Sequence, residues 1–268
     1  MEPRLACLAC LDRTEPRLLE AALWIAAEHR QALEPRALLR SLDDLALQLD
    51  ARLDGDASQS ERAQALLRQL CEAGFRAAEW PLRPDAALLD EVLARRRGQP
   101  LSIALVALEL ARRLEIDLQG IGFPGHFLLR VPGADHLLEP FGGRRLYMSD
   151  CRQLLVDQFG ANARLQATHL TPLTPRQMMQ RLSRNLRELH RQGDQPLAAL
   201  KDAQRVIEFG AAGVADHLAR ADLYRQLDCP QAQRYDLQHA LLISEDDAER
   251  DQLRRRLEQL GTPATTLH

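Results

Sequence analysis

The segment Leu101–Leu114 (LSIALVALELARRL) constrains this chain more than any other stretch. Its Ile103, Val106, Leu110 and Leu114 share a helical face, and apolar residues fill most of the positions between them. A helix that is apolar on most sides must be buried on most sides, so a domain has to be wrapped around it. Gly98 and Pro100 punctuate its start. After it come two short apolar runs, Leu118–Phe123 and His126–Val131, then a Pro132-Gly133 turn signal and a third run, His136–Glu139. Short runs divided by turn residues predict a small antiparallel sheet. With apolar residues at 46% a sizeable core is possible, and with aromatics at 4% that core must be Leu, Ala, Val and Ile.

The remaining chain reads as helix. Glu20–Ala32 follows the 3.6-residue period, and Pro35 opens a segment that continues it through Leu38, Leu39, Leu42, Leu45, Leu47 and Leu49. Gly55–Ser60 (GDASQS) is a turn or exposed loop, and Ser60-Glu61 begins a helix ending near Gly74. Pro81 and Pro84 break the chain, Leu88–Arg97 is helical, and Ser149-Asp150 can cap the helix after the sheet.

The last third repeats itself. Leu189–Ala198 (LHRQGDQPLA) aligns with Leu223–Ala232 (LYRQLDCPQA) at a spacing of 34, and Asp202 and Asp236 keep the register. That is the tetratricopeptide period of helix–turn–helix units. Two copies are few for independent stability, so these repeats are expected to lean on the middle of the chain. The tail Gly261–His268 is expected to fray.

Charge is nearly balanced, 35 basic against 38 acidic residues, which argues against a nucleic-acid partner held by bulk electrostatics. The basic residues are almost all arginine, Lys201 being the only lysine, a bias of composition rather than of function. No run reaches membrane-spanning length, and the apolar stretch Leu5–Leu11 is too short for a secretory signal. Five scattered cysteines are not a disulfide framework, and a reducing cytoplasm is the expected address. Cys7 and Cys10 have redox spacing without a strand–helix context, so packing on one helix side is the expected role. The other histidines show no metal-ligand spacing, and neither metal nor cofactor is expected.

The distinctive residues are Arg95-Arg-Arg-Gly-Gln-Pro-Leu-Ser102, Gly122-Phe-Pro-Gly-His126-Phe-Leu-Leu-Arg130 and Leu138-Glu139-Pro-Phe-Gly142. A helix N-terminus, a strand led by histidine and a strand ending in a carboxylate, in that order, resemble the transglutaminase-like fold. With EAALWIA upstream and the repeats downstream, the chain resembles the SirB family over about residues 18–245. The likeness is to its soluble branch, which carries a transglutaminase-like core and tetratricopeptide-like repeats. The resemblance implies a mostly α fold with a small antiparallel sheet. N-terminal helices and the core would occupy residues 1–170, and helical repeats 171–268. It also implies a regulatory role in bacteria and supplies no biochemical activity. Carried over, His126 matches the family's histidine and Glu139 its acidic partner, one methylene longer than the usual Asp. Ala86-Ala87 stands where relatives tend to carry Asn-Ser. The nucleophile position falls near Pro100–Ser102, yet no cysteine lies between Cys71 and Cys151, and Ser102 is the only hydroxyl nearby.

Two roles compete at each of these residues. Ser102 is either a first-turn residue of its helix or a nucleophile, with His126 as base, Glu139 as orienting group and amides near Leu101–Ile103 as the oxyanion site. Arg95–Arg97 and Arg112-Arg113 are read as solvated helix ends rather than phosphate sites. The loss of the thiol and the presence of the repeats favour a non-catalytic cytoplasmic interaction or regulatory protein that binds a protein partner through the repeats. The alternatives are a Ser-His-Glu hydrolase or acyltransferase, and a cleft that binds a small ligand without turnover.

Overall fold

A computed structural model describes residues 2–260; Met1 and residues 261–268, including the tail expected to fray, lie outside the described residues. The chain divides into two compact units, with the boundary between Leu182 and Ser183. Residues 171–182 belong to the first unit because they complete its sheet. Pro172 bridges Ile121, the Leu173 N–H donates to the Gly120 carbonyl at 2.9 Å, and a Cβ on Gly120 would come within 2.9 Å of the Met178 sulfur.

The first unit opens with α1 (Pro3–Leu11), α2 (Leu18–Ala27), α3 (Pro35–Asp50) and α4 (Gln59–Glu72). Strand β1 (Arg76–Ala77), α5 (Leu89–Arg95) and β2 (Arg97–Gly98) follow, the two strands pairing in parallel. Helix α6 (Pro100–Arg113) comes next, with Pro100 at its first position, where a missing N–H costs nothing. Every residue from Leu101 to Ala111 is buried, as the apolar pattern requires. Around α6 pack α2, α3, α4 and α5, together with β3 (Gln119–Ile121) and β4 (Leu128–Arg130). Each buried Leu, Ile or Val contributes about 1.5–3 kcal/mol of apolar transfer, so this helix is the centre of the unit's stability. The sheet continues through β5 (Leu137–Leu138) and β6 (Arg145–Leu146) as an antiparallel meander, and α7 (Met148–Phe159) closes over it. Two-residue strands carry no readable alternation, which is why β1, β2 and β6 left no signal in the sequence.

The second unit begins within α8 (Pro175–Gln192) and continues through α9 (Pro196–Glu208), α10 (Val214–Gln226), α11 (Pro230–Ile243) and α12 (Asp247–Gln259). The 34-residue recurrence has a physical basis here. Asp194 and Asp228 hold the same left-handed turn, φ 54° and 52°, and Pro196 and Pro230 each start the next helix. Asp202 and Asp236 are both fully buried, and each carries a histidine and an arginine. Asp202 takes His190 at 2.7 Å and Arg205 at 2.7 Å; Asp236 takes His217 at 2.9 Å and Arg220 at 2.8 Å. The fold is therefore mostly α with a small antiparallel sheet, and no helix among the described residues is long and apolar enough to cross a membrane.

Arg112 and Arg113 are not merely a solvated helix end. Arg112 forks onto Glu109, a carboxylate buried one turn earlier on α6, at 3.2 and 2.9 Å; Arg113 adds a single bond from its Nε at 2.8 Å and turns its other nitrogens to Asp43 and the Leu39 carbonyl. Burial pushes the Glu109 carboxyl up, but the bonds from Arg112 and Arg113 outweigh it and hold the group below the usual glutamate range. Glu109→Gln is expected to cost about 3 kcal/mol, because it strips the counter-charge from a mostly buried pair. A depressed folded-state value contributes stability that is complete above the ordinary glutamate value. Below that value it fades as pH falls through the folded one. Denaturant melts should therefore show a constant gap between wild type and variant near neutrality, and a shrinking gap in acid.

Candidate functional site

The RRRGQPLS motif lies where α5 turns into α6. Arg95 pairs with Glu91 at 2.7 Å and Asp85 at 3.1 Å. Arg96 adopts a left-handed conformation as the C-cap of α5, lies over the Phe75 ring and bonds the Ala73 carbonyl. Arg97 donates to the Gly74 carbonyl at 2.7 Å. Arg96 and Arg97 thus clamp the end of α5 to the turn after α4, while Arg95 ties the same end to Asp85 ahead of α5, a structural use of the motif. Gly98 is needed for close approach, since a Cβ there would come within 3.0 Å of Val92 and 3.2 Å of Ile103. The Gln99 N–H then donates to the Ala86 carbonyl at 2.8 Å, fixing the entry into α6.

Ser102 is the third residue of α6 and is completely buried; its hydroxyl has no hydrogen-bond partner. His126 follows the Pro124-Gly125 turn, closed by the His126 N–H to the Phe123 carbonyl at 3.0 Å. Gly125 has φ +73°, a conformation that side chains rarely adopt, and a Cβ there would displace the Gln158 amide. The half-buried His126 ring tilts against Phe123 with centroids 6.3 Å apart, and its backbone carbonyl accepts from Arg181 at 2.6 Å. Glu139 begins the β5–β6 turn. Its N–H donates to the Arg144 carbonyl, and its carboxylate takes the Arg144 guanidinium through two bonds, at 3.0 and 2.8 Å. Among the described residues no hydrogen bond joins any two of Ser102, His126 and Glu139. The structure brings them into one unit without linking them as nucleophile, base and orienting group.

The cysteines flanking this region do not replace the lost thiol. Cys151 is sealed in the apolar cluster beneath the sheet, and burial pushes its thiol up, away from the thiolate that attacks carbonyls. Cys7 and Cys10 are buried on one side of α1. Burial, followed by the charge of Glu20, raises Cys10 to about 11.

A different serine–histidine contact does form. Ser60, the second residue of α4, has its Oγ 3.1 Å from His136 Nε2, and His136 Nδ1 lies 2.8 Å from Asp135 Oδ1. Sequence reasoning set His136 aside because it lacked metal-ligand spacing. The adjacent Asp135-His136 pair and the start of α4 were the available signals. That start is marked by a Ser58–Glu61 capping box rather than by Ser60 itself, Ser58 accepting from the Glu61 N–H and Glu61 from the Ser58 N–H.

The unpartnered hydroxyl of Ser102 yields a direct prediction. A buried polar atom without a partner costs about 1–3 kcal/mol of desolvation, against which the small void left by its removal counts for less. Ser102→Ala is expected to raise unfolding free energy by about 1 kcal/mol, as measured by urea denaturation; a nucleophile held by a base would lose stability instead.

The family model described as the transglutaminase-like superfamily matches residues 36–184. The UPF0162 protein PA3419 of Pseudomonas aeruginosa is 60% identical over 266 residues, covering 99% of this chain and 98% of that protein. The UPF0162 protein YchA of Escherichia coli is 26% identical over 73% of this chain and 74% of its own length. Protein SirB1 of Salmonella typhimurium is 25% identical over 79% of this chain and 80% of its own length. With the core matched by the family model and nearly the whole length matched by a relative, the chain belongs to the transglutaminase-like superfamily, within the UPF0162/SirB1 group.

Proposed function

We propose that this chain acts by binding a protein partner, as a cytoplasmic regulatory protein, and that its transglutaminase-like cleft performs no acyl transfer. The observation that carries the reading is the fate of the three family positions. No cysteine stands near the start of α6, Ser102 is sealed in the core, and the Glu139 carboxylate is held by Arg144. Five free cysteines with no disulfide among them support a reducing compartment.

The second unit supplies the binding surface in this reading, through its tetratricopeptide-like helical pairs. Between the end of α8 and α10 runs a groove of about 290 Å³, lined by Arg187, Glu188, Arg191, Asp222, Leu223 and Arg225 among others. Its carboxylates are already occupied. Glu188 takes Arg191 through two bonds and Asp222 takes Arg256 at 2.6 Å with Arg225 at 4.0 Å, while the lining Arg187 is bonded to Asp216, which Arg184 also holds. Among the lining residues three arginines, Arg187, Arg191 and Arg225, stand against two carboxylates, Glu188 and Asp222, a surplus of one positive charge, and the exposed Arg191 and Arg225 guanidinium groups present it to solvent. Such a surface favours an acidic segment of a partner, because forked guanidinium groups match carboxylates.

Fluorescence anisotropy tests this on the full chain with a labelled Glu- and Asp-rich peptide and a Lys-rich counterpart. The acidic peptide is expected to bind, to weaken with added salt, and to lose about tenfold or more in affinity with Arg191→Glu plus Arg225→Glu. Equal binding of both peptides, or binding unchanged in the double variant, would count against the reading.

A further inference from the structure

The Ser60–His136–Asp135 array includes none of the family's cleft positions and none of the groove's residues. We propose that Ser60 is an activated nucleophile that accepts acyl groups from small esters bearing a carboxylate. His136 is its general base and Arg145 the seat of the carboxylate.

Four observations converge. First, the contacts run in the order such chemistry needs: Ser60 Oγ to His136 Nε2 at 3.1 Å, then His136 Nδ1 to Asp135 Oδ1 at 2.8 Å. An ionised carboxylate only accepts hydrogen bonds, so Nδ1 carries a proton, and in the neutral ring Nε2 is then the acceptor that faces the serine hydroxyl. The hydrogen bond to His136 holds the Asp135 carboxyl below the usual range, and the charge of Arg145 adds to that effect, so Asp135 is ionised at neutral pH. Second, the base is shielded while the nucleophile is not. His136 is 6% exposed and packs 5.7 Å from the half-exposed Tyr147 ring, whereas Ser60 is half-buried. Third, Ser60 stands in the first turn of α4, where amides lack intrahelical acceptors. The Glu61 amide is taken by Ser58 Oγ, which leaves those of Gln59 and Ser60 to meet an oxyanion. The Gln59 side chain anchors this turn to the Glu115 carbonyl and the Asp117 N–H. Fourth, Arg145 on β6 is near enough for its charge to act on both Asp135 and Glu61, yet no ion pair joins it to either, and its Nε is buried without a hydrogen-bond partner. An uncommitted guanidinium whose charge reaches the residues next to Ser60 and His136 favours an anionic substrate.

The step balances without a cofactor. The Ser60 Oγ–acyl carbon bond forms as the bond from that carbon to the ester's leaving oxygen breaks. The Ser60 proton passes to His136 Nε2 and from there to the leaving oxygen, which departs as an alcohol. Water, deprotonated by the same nitrogen, then attacks the acyl-serine, releasing the carboxylic acid and restoring the Ser60 hydroxyl.

The test uses a fluorophosphonate probe, with p-nitrophenyl acetate and mono-p-nitrophenyl succinate as esters. The native protein should gain one phosphonyl group, fluoride leaving, mapped by mass spectrometry to the Ser60 peptide. Ser60→Ala should gain none, and His136→Gln should react about 100-fold more slowly. Asp135 is exposed, so Asp135→Asn keeps the fold and should slow labelling about tenfold. That variant decides the matter if the other two lose their structure. The succinate ester should be favoured over the acetate, and Arg145→Gln should erase the preference. A native protein that takes no label overturns the proposal, as does label that persists in Ser60→Ala or forms at the native rate in Asp135→Asn. Peptide binding in the groove is expected to be unaffected by Ser60→Ala, so this proposal and the partner-binding reading fail separately.

Discussion

Burial of α6 on nearly every side is the constraint from which the rest of the first unit follows. A helix whose residues from Leu101 to Ala111 are all inside the protein needs neighbours all round, and helices α2–α5 and the sheet supply them. The same requirement explains the glycine at position 98, where Val92 and Ile103 close in on the backbone. It also explains why a hydroxyl at the head of this helix cannot serve as a surface nucleophile. Ser102 sits on the helix that the core is built around, and the core leaves its oxygen neither solvent nor partner.

With so apolar a centre, charge has to be managed at the edges, and the chain does so with arginine forks. Glu109 is held by Arg112 and Arg113, Asp216 by Arg184 and Arg187, and Asp202 and Asp236 each by an arginine and a histidine. A buried carboxylate is tolerable only when its oxygens are satisfied, and the planar guanidinium can satisfy two at once, which lysine cannot. The near absence of lysine, read from the sequence as a bias of composition, therefore has a structural consequence. Burial alone would push Asp216 up, and the Arg184 bonds bring it down instead, as Arg112 and Arg113 do for Glu109, so these two carboxylates stay charged where they are buried.

What was legible in the sequence was whatever repeats or runs long. The apolar period named α6 to within a residue at either end, and the 34-residue recurrence named the paired turns at Asp194 and Asp228. Strands β1, β2 and β6, of two residues each, were illegible because they are shorter than any period; β5, equally short, was marked only by the apolar run around it. The turn at Pro124-Gly125 was visible as residue type, but its reason, the close approach of Gln158 on α7, was not. The candidate site was legible only as motifs. RRRGQP, PGHF and EPFGG marked segments, yet the partners that decide their chemistry stand outside the motifs: Arg144 for Glu139, Asp85 for Arg95, and the turn after α4 for Arg96 and Arg97. Side-chain direction decides such pairings, and residue order does not encode it. Ser60 and His136 are 76 positions apart and share no motif, so nothing in the order of residues joined them.

The two serines at helix starts make the distinction concrete. Ser102 and Ser60 both occupy the first turn of a helix, where the dipole favours a developing anion. They differ in what surrounds that turn. The start of α6 is enclosed by the packing that makes α6 the core, whereas α4 begins at the surface, beside the turn that presents Asp135 and His136 before β5. A nucleophile needs a base within reach, a proton path and room for a substrate, and only the second position has the first two. In a chain whose family position has lost its thiol, reactivity is then governed by which helix start the core leaves uncovered. The order of motifs along the chain does not determine it.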